Sequence, residues 1–206
     1  MFDTLQFYVI IIMYKYGKVI NMFDFIRLAC AVPEVEVGNT EFNTQEIIKY
    51  IDINKDADVI VFPELCVTGY TCADLFFQRT LLDGTKKGIA EIVRTTKDSN
   101  SVVAVGAPVI IGGQLYNCAV VMSHGMVNGI AVKTFIPTYN EYYEKRWFSS
   151  AADLKCTSIG SDELMLDGDY EIPVGNNLVF DCFGVKLGVE ICEDLWAPLP
   201  PSTLLT

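Results

Sequence analysis

The chain has 206 residues, enough for one sizeable domain. It is 51% hydrophobic and 20% charged with a net charge of -11, which excludes a disordered segment and makes binding to nucleic acid or an anionic membrane unexpected. Its seven cysteines are odd in number and scattered, with no Cys-x-x-Cys pair, so neither a disulfide framework nor a zinc site is indicated and a reducing, cytoplasmic setting is expected.

Residues 1–21 differ in character from the rest of the chain. Phe7 to Met13 is apolar but far shorter than the ~20 residues of a membrane span, and Asp3 and Lys15-Tyr16-Gly17-Lys18 do not make a signal peptide. We read 1–21 as an upstream leader, with Met22 as the functional start and 22–206 as the domain. Phe25 to Val32, stopped by Pro33, predicts a first strand. Asn39 or Asn43 is placed to cap a helix through about Ile53, with Ile47, Ile48 and Ile51 on one face. Val59-Ile60-Val61-Phe62 is a wholly apolar strand of the kind covered on both faces, ended by Pro63-Glu64-Leu65.

Thr68-Gly69-Tyr70-Thr71 predicts a turn, Ala73 to Leu82 one helix and Thr85 to Lys97 another. A strand over Ser101 to Val109 comes next. Leu115 to Met122 and Met126 to Val132 then make a hairpin around His124-Gly125. His124 is the only histidine, and its turn context argues against a Cys-His dyad or a histidine metal site. Lys133 to Phe148 is aromatic and charged without a period, and Cys156 to Pro173 reads as loop. Leu178-Val179-Phe180 and Val185 to Ile191 form a last strand pair, and Cys192 follows at once. Alternating strands and helices with apolar strands are α/β by pattern.

Three strand ends carry chemistry. Glu64 leaves a covered strand, where partial desolvation raises a carboxylate's proton affinity and suits a general base. Lys133 leaves the hairpin, where an ammonium can donate to a developing oxyanion. Cys192 sits where a strand gives way to a turn, held on a rigid support as a nucleophile requires. Taken singly, each has a plainer reading: a solvated acid, a surface lysine, a small buried hydrophobe. Five aromatics between Tyr139 and Phe148 supply material for a pocket wall or for loop packing.

Together these positions resemble the nitrilase (carbon-nitrogen hydrolase) superfamily, whose Glu-Lys-Cys triad has this chain order. Phe62-Pro63-Glu64-Leu65 looks like its glutamate motif, Val132-Lys133-Thr134-Phe135-Ile136-Pro137 its lysine motif and Glu190-Ile191-Cys192-Glu193-Asp194 its cysteine motif. Thr68 to Phe76, Glu141 to Phe148 and Cys192-Glu193-Asp194-Leu195-Trp196 onward are similar to the glutaminase domains of glutamine-dependent NAD synthetases. The resemblance runs from about Phe25 to the last residue. It implies a nitrilase-like αββα sandwich with two mixed sheets, and catalysis by Glu64, Lys133 and Cys192. It also implies that Glu141 orients Lys133 and that Tyr70, Tyr139, Tyr142 and Glu193 line a glutamine pocket. It implies no metal or cofactor for this domain, L-glutamine as substrate, and release of ammonia through a cysteine thioester. ATP, magnesium and deamido-NAD are expected of a synthetase domain that is not in this sequence, and a homo-oligomer of the full-length protein.

The chain stops at Thr206, soon after Cys192, so the sandwich is expected to be incomplete at the C-terminus and glutaminase activity weak or absent. Competing readings are a free-standing amidase, nitrilase or carbamoyl hydrolase, which Glu193-Asp194-Leu195-Trp196 argues against, and a non-catalytic interaction module. A thiol redox protein needs a resolving cysteine near Cys192, and Cys182 is the sole sequence neighbour.

Overall fold

The computed structural model describes residues 9–14, as backbone only, and residues 25–205. The strands are β1 (Val9–Tyr14), β2 (Leu28–Cys30), β3 (Val59–Val61), β4 (Val102–Ile111), β5 (Gln114–Ser123), β6 (Met126–Val132), β7 (Ser158–Gly160), β8 (Glu171–Gly175), β9 (Val179–Cys182) and β10 (Val185–Ile191). The helices are α1 (Thr40–Ile53), α2 (Arg79–Thr95) and the single turn α3 (Glu193–Trp196). A seven-stranded mixed sheet has the order β2-β3-β4-β5-β6-β8-β7, and a smaller one the order β1-β10-β9. In its described part the smaller sheet is antiparallel throughout.

Strand alternation sorts the large sheet into two faces. Ile60, Phe62, Val103, Val105, Val120, Met122 and Ile130 meet Ile47 and Ile51 of α1 and Ile89, Ile92 and Val93 of α2 in one core. On the other face Val59, Val61, Val102, Ala104, Ala119, Val121 and Ala131 meet Cys182, Leu187, Val189 and Ile191 of the small sheet. The layers are therefore helix, sheet, sheet, as in the αββα arrangement. β3 is buried at every residue because both of its faces are covered.

Asn39 caps α1, its side chain accepting the Phe42 N–H at 3.1 Å. The predicted break near Leu82 is absent: Ala73–Phe77 is a 3-10 turn and α2 runs on from Arg79. Gly84 and Gly88 belong inside α2 because they let it lie against α1; a Cβ at either would collide with Thr40 or Thr44. The hairpin turn is as predicted, with His124 at φ 51° and Gly125 at φ 75° between β5 and β6. Cys156 to Pro173 is not all loop, since β7 and β8 pair within and beyond it; a three-residue strand is too short to show a period. The leader reading concerns residues 1–21, of which 1–8 and 15–21 lie outside the described residues, as does Met22. Within that stretch β1 pairs antiparallel with β10, Val9 opposite Ile191.

Candidate active site

β3 and β6 of the large sheet and a 3-10 turn after β6 bring the charged groups of the site together. β3 runs into Pro63-Glu64-Leu65, where Leu65 takes φ 52° and the Gly69 N–H bonds back to the Leu65 carbonyl at 2.8 Å. Gly106 on β4 lies directly beneath this turn. A Cβ there would strike Pro63 O and Leu65 N, so only glycine lets the turn press onto the sheet and bring Glu64 inward. Lys133 follows β6, its N–H donating to the Asn117 carbonyl of β5 at 3.0 Å. Glu144 opens a 3-10 turn, held by its own N–H on Pro137 O (3.1 Å) and by the Trp147 and Phe148 N–H groups on its carbonyl. Phe148 and Trp147 then pack on Phe76, and Arg146 pairs with Asp74 through two bonds of 2.7 and 2.8 Å.

These turns assemble a buried ionic cluster. Lys133 Nζ donates to Glu64 Oε1 at 2.7 Å and to Glu144 Oε1 and Oε2 at 2.7 and 2.9 Å. All three side chains are at most 1% exposed. Asn117 Nδ2 donates to Glu64 Oε1 at 2.6 Å and to Glu144 Oε2 at 3.4 Å, and the Tyr70 hydroxyl donates to Glu144 Oε1 at 2.7 Å. Glu144 thus has partners on both oxygens. Glu64 Oε1 carries two donors, while its Oε2 is buried with no hydrogen-bond partner among the described residues.

One cation between two carboxylates leaves a net negative charge away from water. Burial pushes the Glu64 carboxyl above its ordinary value; Lys133 opposes this and Glu144 adds to it. Burial works against the Lys133 ammonium, but the charges of Glu64 and Glu144 outweigh it and keep the lysine protonated. The cluster is an arrangement that holds Lys133 charged and gives Glu64 an appetite for a proton.

Cys192 ends β10 with φ 47° and ψ -99°, a backbone state uncommon for a residue with a side chain. Such a turn exposes the thiol where strand passes to helix. Asp194 fastens the turn: its Oδ1 accepts the Thr134 and Phe135 N–H groups at 2.9 and 2.8 Å, and its Oδ2 the Ile191 N–H at 3.3 Å. The nucleophile turn is therefore stapled to the segment after Lys133. Burial pushes the Cys192 thiol up to about 12, with the charge of Glu64 adding and that of Lys133 subtracting. At neutral pH Cys192 rests as a thiol within the electrostatic reach of both.

Beside it stands an aromatic wall. Tyr70 and Tyr142 meet edge to face at 6.5 Å between centroids, and Tyr142 and Tyr139 at 5.7 Å. The Tyr139 hydroxyl donates to Glu193 Oε2 at 2.7 Å, which pushes the phenol up to about 12. A half-buried thiol within electrostatic reach of a carboxylate with one unpartnered oxygen and of a lysine supplies the parts needed for acyl transfer from a small amide.

Residues 27–204 match the carbon-nitrogen hydrolase family. The chain belongs to that family. It is 35% identical over 183 residues to a glutamine-dependent NAD(+) synthetase of Mycobacterium leprae, covering 86% of this chain and 26% of that protein. It is 32% identical over 174 residues to one from Aquifex aeolicus, again covering 26% of that protein. The structure of a glutamine-dependent NAD(+) synthetase from Cytophaga hutchinsonii superposes with a TM-score of 0.64 at 27% identity, covering 75% of this chain and 26% of that one. An amidase from Nesterenkonia shares the fold at a TM-score of 0.51 and 17% identity, covering 66% of this chain and 51% of that one. This carbon-nitrogen hydrolase chain thus spans about a quarter of the length of the curated relatives it matches.

Glu64 and Lys133 touch, and Cys192 lies where their charges act on it. Tyr70, Tyr139, Tyr142 and Glu193 line up along one side. Glu141 is the exception. It is exposed, and the second carboxylate on Lys133 is Glu144, three residues on, because the 3-10 turn directs Glu144 and not Glu141 into the sheet end. Sequence reasoning also passed over Asn117 and Asp194. Asn117 had a signal, a lone amide inside an apolar strand run; Asp194 had none that set it apart from Glu193.

Proposed function

We propose that this chain is a glutamine amidohydrolase domain that releases ammonia from L-glutamine through a cysteine thioester. The observation that carries the reading is the unpartnered Glu64 Oε2 beside a lysine-clamped Oε1. Cys192 Sγ attacks the side-chain amide carbon while Glu64 Oε2 takes the thiol proton. The oxyanion is held by Lys133 Nζ and a backbone N–H near Cys192, one such donor being typically worth ~3 kcal/mol. As the tetrahedral species collapses the C–N bond breaks, Glu64 returns its proton to nitrogen, and ammonia leaves a γ-glutamyl thioester. Water, deprotonated by Glu64, then attacks the thioester; the thiol is restored and glutamate departs. Glu144 holds Lys133 for these steps, in the role first expected of Glu141. Tyr70, Tyr139 and Tyr142 wall the substrate, and Glu193 takes its α-ammonium.

The names of the relatives support glutamine as the amide. From the motif resemblance alone we further propose that the ammonia feeds the ATP- and magnesium-dependent amidation of deamido-NAD by a synthetase domain, in a cytoplasmic homo-oligomer. Ammonia release from glutamine, measured for the chain and for Cys192→Ala, tests the reading. Slow release by the first and none by the second is expected; equal release by both refutes it.

A further inference from the structure

Asn117 is a neutral group at the centre of the ionic cluster, alongside the Tyr70 hydroxyl. It sits on β5 between Tyr116 and Cys118, fully buried, on a strand whose other buried residues are apolar apart from Ser123 at its far end. Its Nδ2 reaches both carboxylates, Glu64 Oε1 at 2.6 Å and Glu144 Oε2 at 3.4 Å. Two acceptor groups face it there, so the amide nitrogen and not the carbonyl must point that way. The consequence is that Asn117 Oδ1 is left buried without a hydrogen-bond partner among the described residues. A buried unpaired carbonyl lowers stability, and an apolar side chain would avoid that loss. The amide earns its place by what its nitrogen does.

We propose that Asn117 is a positioning residue that occupies Glu64 Oε1 and so commits Oε2 to be the oxygen that exchanges protons with Cys192 and the leaving nitrogen. The two donors on Oε1, Lys133 Nζ and Asn117 Nδ2, fix the carboxylate plane. Lys133 alone would let Glu64 swing, because one ammonium accepts many approach directions. By bridging to Glu144 the same amide also keeps the two carboxylates apart. The groups facing Glu64 are Lys133, Glu144, Asn117 and Cys192, with the Tyr70 and Tyr142 phenols within reach of its charge. Of these, Asn117 can be removed without removing a charge or the nucleophile. Its hydrogen bond favours the ionised carboxylate and lowers the proton affinity of Glu64. The inference rests on the acyl-transfer reading of the site.

The test separates the two. The carbon-13 carboxyl resonance of Glu64 is titrated in the chain, in Asn117→Leu and in Asn117→Ser, alongside the pH profile of glutamine hydrolysis. Loss of the amide is expected to move the Glu64 titration upward by about one pH unit. The acid limb of kcat should move with it and KM should stay put, since Asn117 does not reach the pocket. Asn117→Ser, which keeps a hydroxyl donor, should fall between the other two and serves if the leucine variant does not fold. A Glu64 titration unchanged in both variants overturns the inference. A shifted titration in a chain that never hydrolyses glutamine leaves the positioning of Glu64 intact and refutes the amidohydrolase reading instead.

Discussion

Replacing Lys133 by Met keeps the length and bulk of the side chain and removes its charge. What remains is two carboxylates, on Glu64 and Glu144, whose side chains are at most 1% exposed. Breaking a buried ion pair by removing one partner costs about 3–5 kcal/mol, against a total stability on the order of 5–15 kcal/mol. The loss should depend on pH, and its sign follows from the protons. In the unfolded chain Glu64 titrates near its ordinary value, whereas in the folded variant burial and the neighbouring Glu144 charge, no longer opposed by Lys133, hold it higher. The folded variant therefore binds more protons than the unfolded chain across that window, and its stability falls as pH rises through it. In the wild-type chain the raised affinity of Lys133 for its proton opposes this: its contribution is complete below the ordinary lysine value and is lost only as strong alkali deprotonates it. Urea unfolding of wild type and Lys133→Met at about pH 5 and about pH 8 reads the difference, which should be several-fold larger at the higher pH. Adding Glu64→Gln should recover part of it. An equal loss at both values, or no loss at the higher one, would show that the cluster is not ionised as described.

Glu144→Gln should lower glutamine turnover by about a hundredfold, the scale of one misplaced catalytic donor, while Glu141→Gln leaves it within twofold of wild type; the reverse order would restore Glu141 to the site. Cys192 should be alkylated by iodoacetamide slowly at about pH 8, on the order of a thousandfold below a free thiol, with a rate that climbs to beyond pH 11. A titration break below pH 9 on the Cys192 peptide would contradict the burial and charge assigned to it.

The parts of the fold that repeat were legible in the sequence. β3 announced itself by four apolar residues, α1 by Asn39 and three isoleucines, and the β5–β6 hairpin by His124-Gly125. What was not legible depends on tertiary contact. The expected break between Leu82 and Thr85 is missing because Gly84, which falls in it, lets α2 lie against α1. β7 is too short to carry a period, and β8 has Pro173 at its centre, which argues against a strand. At the site, residues that end strands were visible because an ionisable group after an apolar run is conspicuous. Glu144 was not, since the choice between two glutamates three residues apart is made by a bond from its N–H to Pro137. Asp194 resembles its neighbour Glu193 in sequence and differs only in what it holds, the backbone of Thr134 and Phe135. Gly106 owes its role to a loop forty residues earlier in the chain.

The most direct test is to mix the chain with L-glutamine, quench with acid on the turnover timescale, and map the acylated peptide by mass spectrometry. A γ-glutamyl thioester on Cys192, lost in Cys192→Ala and strongly diminished in Glu64→Gln, is the predicted result. Ammonia released with Cys192 unmodified at every time point, or an acyl group on another residue, would contradict the account.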